Sequence, residues 1–134
     1  KDENSLLFTN SLLSLISSLE EKGKKVYLIG PIQTPSYDLP SKLSRYLKFE
    51  YMKHDNIDKE LVISKDIYDK NFLNVKEMVS KKIGKNFIDP SKLQCDKNYC
   101  YLGNKYGLFF SDSNHLSKYG TKYFSDVFKP IFYE

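Results

Sequence analysis

Arginine is nearly missing from this chain: one arginine, Arg45, stands among 20 lysines and 17 acidic residues. Nucleic-acid readers concentrate positive charge and favour arginine for bidentate contacts to bases and phosphates. Here lysines sit near acids along the whole length, and only short pairs such as Lys24-Lys25 and Lys81-Lys82 stand out. A solvated lysine-rich surface is the better reading, and no nucleic-acid partner is expected. Long apolar runs are also missing, and none approaches the ~20 residues that a membrane helix needs. The opening Lys-Asp-Glu-Asn carries no apolar signal region, so any export signal is expected to be absent or already removed. Two cysteines cannot make a disulfide-rich scaffold, and no Cys/His cluster has zinc spacing, so no metal is expected. Tryptophan is absent, and the 15% aromatic content is all Tyr and Phe. Much of it must be core, although eleven tyrosines also suit a sugar-facing or interfacial surface.

What is present fits one domain spanning residues 1–134. A chain of 134 residues, 28% charged and 40% hydrophobic, can form one real core. Leu6, Leu7, Leu12, Leu13, Ile16 and Leu19 recur at helical spacing between Ser5 and Lys22, and Gly23 stops them. Lys25 to Ile29 is a short β-branched apolar strand ending at Gly30-Pro31. A proline-fixed loop runs to Pro40, where open α/β sheets place their sites. Leu43, Tyr46 and Leu47 suggest a short helix, and residues 50–64 read as mostly irregular. Ile67, Tyr68, Phe72, Val75, Val79 and Ile83 share one face of a helix closed by Gly84. Asn86-Phe87-Ile88-Asp89-Pro90 then reads as a second strand. Helix, glycine, strand and proline thus occur twice, and strands this apolar are expected to be covered by helices on both faces. Leu108-Phe109-Phe110 is a third apolar stretch. Leu116, Tyr119, Tyr123, Phe124, Val127 and Phe128 form a closing helix expected to stop at Pro130. The fold class is α/β with a short, mostly parallel sheet.

Two histidines limit the acid–base chemistry. His54, in Lys53-His54-Asp55, reads as a surface residue. His115 lies between an apolar strand and an amphipathic helix, with Asp112 three residues before it. A carboxylate there can reach Nδ1, fix the tautomer and leave Nε2 free as a base. The plainer alternative is a helix cap with an incidental first-turn histidine. The cysteines allow three readings. A metal site would need two further ligands, and a reactive thiol would need a cation or helix N-terminus that the sequence does not clearly supply. A local Cys95–Cys100 disulfide around Asp96-Lys97-Asn98-Tyr99 is geometrically easy and is the reading taken; it implies an oxidising compartment.

Asp112-Ser113-Asn114-His115-Leu116-Ser117, followed by Gly120, resembles the last catalytic block of SGNH hydrolases. More closely, the chain resembles the SGNH domain fused to membrane-embedded acyltransferases of the acyltransferase-3 family. The similarity runs from about Ser5 to Phe128. It rests on Lys24 to Pro31, on Asn86 to Pro90, on Leu93-Gln94-Cys95 with Cys100, and on Phe110 to Gly120, in that order. The resemblance implies an SGNH, flavodoxin-like three-layer sandwich in which Asp112 and His115 are two members of a catalytic triad. It implies acyl transfer to a cell-surface glycan acceptor with no metal or organic cofactor. The site would lie in the periplasm, tethered to the inner membrane by an acyltransferase domain of the same protein. A carbohydrate esterase and a non-catalytic glycan-binding module are the rival readings.

One departure separates this chain from that family. None of its six glycines begins the Gly-Asp-Ser block that carries the nucleophile. The sequence therefore matches the C-terminal portion of such a domain, with the nucleophile-bearing segment outside it. A piece of a longer protein is favoured over a nucleophile-free relative, which would have little reason to hold both Asp112 and His115. A His–Asp pair without a hydroxyl cannot transfer an acyl group, so these residues alone are expected to be inactive. Where a first strand should pair, a sheet edge is expected to lie open, inviting association with that segment or a homodimer. The triad reading further expects the carboxylate turned toward His115 at the rim of a sheet, with the ring not left in open solvent.

Overall fold

The structure is a computed structural model, and it describes residues 3–49 and 61–132, with the side chains of residues 46–49 aside. His54 lies outside the described residues.

Helix α1 (Glu3–Glu21) forms where the leucine spacing places it. Gly23 ends it at φ +72°, a left-handed conformation that glycine adopts without a Cβ clash. The turn is closed by Lys24 N–H donating to the Leu19 carbonyl and Gly23 N–H to that of Glu20. β1 (Leu28–Ile29) follows, then a loop to α2 (Leu39–Phe49). Asp38 caps α2 by accepting the Ser41 N–H at 2.8 Å. Pro40 sits in the first turn, where a missing N–H costs nothing.

β2 (Val62–Ser64) leads directly into α3 (Lys65–Ile83). The Ser64 side chain accepts the Asp66 N–H, Asp66 lies in the first turn, and Lys81 and Lys82 lie in the last, as the helix dipole favours. After a 3-10 turn come β3 (Phe87–Ile88) and α4 (Ser91–Gln94). The short strands β4 (Tyr99–Tyr101), β5 (Gly103–Asn104) and β6 (Gly107–Leu108) follow. α5 (Lys118–Phe124) continues through a 3-10 turn into α6 (Lys129–Phe132).

Among the described residues the strands form three pairs. β1 and β3 are parallel, with Leu28 opposite Phe87 and Ile29 opposite Ile88. β2–β4 and β5–β6 are antiparallel. The α/β class holds, with its parallel element in the β1–β3 pair.

Several sequence expectations are revised. Residues 62–64 are not irregular: they pair with Tyr99–Tyr101, a partner too distant in sequence for local pattern to reveal. Pro130 does not stop the last helix, because it occupies the first turn of α6. Leu6 and Leu7 at the start of α1 are exposed, as is Ile29 of β1 at 51%. The cover expected over both faces of β1 is therefore incomplete among the described residues.

Two hydrophobic clusters organise the molecule. One comprises Leu39, Leu43, Leu102, Phe109, Phe110 and Phe124, all buried, with Ile32, Tyr37 and Tyr123 packed against it. The other comprises Ile16, Val79 and Ile83, joined by Leu28 and Phe87, and packs α1 and α3 against the β1–β3 pair.

Candidate active site

The loop from Phe109 to Ser117 is wired at both ends. Phe109 and Phe110 are anchored in the first cluster. Ser111 N–H donates to the His115 carbonyl at 2.9 Å, and Ser117 N–H donates to the Phe109 carbonyl at 2.9 Å. Ser117, not Asp112, caps α5: its Oγ accepts the Gly120 N–H at 2.9 Å and donates to the Leu108 carbonyl at 2.6 Å. The helix-cap alternative for Asp112 is thereby removed. Gly120 is required by packing, since a Cβ there would lie 2.0 Å from the Phe109 carbonyl oxygen. The spacing of Ser117 and Gly120 after His115 thus fixes how α5 approaches the loop.

Within this frame Asp112 divides its two oxygens. Oδ1 accepts the Asn114 N–H at 2.8 Å and the His115 N–H at 2.7 Å, an Asx-type turn. Oδ2 lies 2.7 Å from His115 Nδ1. The two backbone amides, then the imidazole, hold the Asp112 carboxyl down at about 2 against an ordinary value of 3.8. Near neutral pH it is a carboxylate that can only accept, so Nδ1 is the donor to it, and the neutral tautomer this selects is the one whose Nε2 holds a free lone pair. Among the described residues no hydroxyl hydrogen-bonds Nε2. Ser111 and Ser117 donate to main-chain carbonyls, and Ser113 pairs with Asn114.

The expectation about the carboxylate is met and the one about solvent is not. The carboxylate is turned toward the ring, but the His115 side chain is 75% exposed and that of Asp112 37%. The pair is therefore held by local hydrogen bonds and not by burial.

The cysteines are joined as Cys95–Cys100, Cα–Cα 3.9 Å, between α4 and β4. Inside that loop Asp96 accepts from Asn98 N–H at 2.7 Å, from Tyr99 N–H at 2.8 Å and from the Tyr101 hydroxyl. The Tyr101 bond, then the two amides, lowers the Asp96 carboxyl from its ordinary value, and the same bond raises Tyr101.

Sequence reading missed the residue that holds the loop after β1. Gln94, buried, accepts the Gln33 N–H at 2.7 Å through Oε1. Its amide donates to the carbonyls of Gln33 at 2.6 Å and Tyr101 at 3.2 Å. Tyr68 donates to the Pro31 carbonyl at 3.1 Å. Nothing in a lone glutamine beside a cysteine signals this, because its partners are main-chain atoms and Gln33 stands 61 residues away. No group of three or more His, Cys, Asp or Glu able to hold a metal occurs among the described residues. No helix among them is long and apolar enough to cross a membrane.

An α/β domain with an aspartate-oriented histidine on its C-terminal loop has the layout of an SGNH-type domain. The chain belongs to the family of SGNH domains fused to AT3 domains, whose model matches residues 1–130. Its fold is similar to that of the periplasmic domain of a Salmonella ser. Paratyphi A lipopolysaccharide acetyltransferase, at TM-score 0.59 and 22% identity. That match covers 97% of this chain and 51% of the other, so the chain spans about half the length of its structural relative. No curated protein matches.

Proposed function

We propose that this chain supplies the histidine and aspartate of an O-acyltransferase that moves an acyl group onto a cell-surface glycan. The reading is carried by the 2.7 Å contact of His115 Nδ1 with an Asp112 carboxylate pinned by two backbone amides. Membership of a family fused to acyltransferase domains supports the reaction class. The acetyltransferase relative supports acetyl as the group moved, lipopolysaccharide as the kind of acceptor and the periplasm as the place. In this reading an acyltransferase domain of the same protein delivers the acyl group from the membrane.

The serine that takes the acyl group lies outside these residues. Its hydroxyl proton passes to Nε2 as the oxygen attacks the acyl carbonyl, and the imidazolium returns that proton to the departing donor group. A sugar hydroxyl then attacks the acyl-enzyme, giving its proton to Nε2. The ester forms on the glycan, and the proton passes back to the serine oxygen. Asp112 orients the ring and stabilises the imidazolium while staying ionised. Hydrolysis uses the same groups with water as acceptor, and exposure of the ring leaves Nε2 open to either.

The test uses the full-length gene product in its own membrane, with surface glycan acylation read by mass spectrometry. His115→Ala is expected to abolish acylation with the protein still present. Retained acylation overturns the reading, and free acid without an acylated glycan assigns hydrolysis instead. These 134 residues alone are expected to release no p-nitrophenol from p-nitrophenyl acetate.

A further inference from the structure

β4 sends its side chains alternately to the two faces of the β2–β4 pair. Cys100 faces inward and is fully buried, so Tyr99 and Tyr101 share the outer face, ~7 Å apart along the strand. Tyr99 is 47% exposed and Tyr101 37%.

Tyr101 is held at both ends. Its carbonyl accepts from the buried Gln94 amide at 3.2 Å, and its hydroxyl donates to Asp96. Asp96 is itself fixed by the Asn98 and Tyr99 amides inside the Cys95–Cys100 loop. Ordering an exposed side chain costs conformational entropy, and a hydrogen bond in open solvent returns little. Stability alone does not account for a rigid tyrosine on the surface. A ligand does, because a ring fixed beforehand loses little more freedom on binding.

The polar groups beside the rings indicate which ligand. A carboxylate offers about four lone-pair positions. Two amides occupy Oδ1 of Asp96 and the Tyr101 hydroxyl occupies one position on Oδ2, so one acceptor position is left on an exposed side chain. The Tyr99 hydroxyl makes no hydrogen bond among the described residues. Aromatic faces, a spare carboxylate acceptor and an unused hydroxyl match a sugar, which has a C–H face and a rim of hydroxyls. The same carboxylate repels a phosphate or an anionic lipid. Asp96 and Lys97, both exposed, do not suit the apolar centre of a protein interface.

Position ties this patch to the reaction. β4 runs into Leu102, whose carbonyl accepts the Phe109 N–H at 2.8 Å. Asp112 follows three residues later, a span of at most ~11 Å. The patch and the Asp112–His115 pair therefore lie on neighbouring segments.

We infer that Tyr99, Tyr101 and Asp96 form a subsite for the acceptor glycan, the two rings taking the C–H face of a sugar unit and Asp96 one of its hydroxyls. The inference rests on the acyltransferase reading above and adds which residues grip the acceptor away from the bond that forms.

The test uses the full-length gene product carrying His115→Ala, so that no turnover intervenes. Oligosaccharide released from the surface of the same cells is immobilised, and binding is read by biolayer interferometry. Adding Tyr99→Ala or Tyr101→Ala is expected to weaken binding about tenfold or more, as lost aromatic anchors do. Tyr101→Phe keeps the ring and its packing and should lose less. Tyr106→Ala, 73% exposed on the β5–β6 turn, is the control and should bind as its parent does. With His115 restored, Tyr99→Ala and Tyr101→Ala should raise the acceptor KM and leave kcat within about twofold. Three results overturn the inference: no binding by the parent, binding unchanged in both alanine variants, or equal loss in Tyr106→Ala. A fall in kcat at unchanged KM does so as well. The reading of function fails separately: acylation that persists in His115→Ala removes the chemistry, while binding lost with Tyr101→Ala still marks the glycan surface.

Discussion

The clusters around Phe109 and around Ile16 use the same kinds of side chain and reach different degrees of closure. The first buries six residues drawn from α2, from the β4–β6 region and from α5, with the Phe109 ring 4.3 Å from Tyr123 and 5.5 Å from Phe124. The second buries three, and Phe8 and Ile29 beside it remain exposed. The difference follows from what each must cover. Around Phe109 the buried members are covered by partly buried apolar neighbours, among them Ile32, Leu108 and Tyr119. Among the described residues β1 has one paired edge and one open edge, and α1 and α3 can roof it but cannot pair with it. The closed region carries the Asp–His loop.

The largest expected effect tests whether the closed region performs chemistry. In the full-length gene product, Asp112→Asn is expected to cut acyl transfer about 10⁴-fold, because the amide favours the wrong imidazole tautomer. The amount of folded protein should be unchanged, since the asparagine oxygen can still accept the two loop amides. Transfer within a few-fold of the parent would detach this loop from catalysis.

Next come the two clusters themselves. Phe124→Ala is expected to lower unfolding free energy by about 3–5 kcal/mol, the usual loss for an emptied aromatic site. Phe8→Ala should change it by less than about 0.5 kcal/mol in these 134 residues. A clearly larger loss for Phe8→Ala in the full-length protein would sharpen the contrast, and equal losses at both positions in the short chain would break it. Urea titration reads both. The Cys95–Cys100 disulfide closes only a short loop, and the loss expected on its reduction is about 2 kcal/mol.

The smallest effect concerns pH. The Asp112 carboxyl sits at about 2, below its ordinary 3.8, so the folded loop favours the charged form. The ordering this gives is full above about pH 4 and fades as pH falls toward 2. A carboxyl NMR titration should find the midpoint near 2, with the Asn114 and His115 amides shifting together. His115→Ala should raise it only partway, because the two amides remain. A midpoint at 3.8 in the parent would contradict the hydrogen bonds described.

Legibility in the sequence tracks the range of the contacts. The long helices, the stops at Gly23 and Gly84 and the Asp112–His115 pair could be read because each depends on residues within one or two turns of chain. The exposure of Leu6 and Leu7 could not, since helical spacing gives a face but not what lies against it. Gln94 escaped notice because its partners Gln33 and Tyr101 meet it only in the fold.

By itself the sequence determined the α/β class, the local disulfide and the Asp112–His115 pairing, for these follow from periodicity, from a five-residue separation and from an aspartate three residues from an imidazole. The tertiary structure alone decided that β2 pairs with β4 and that β1 pairs with β3. Each of those depends on which distant main-chain groups meet, and hydrogen bonds between backbone atoms leave almost no mark on residue type.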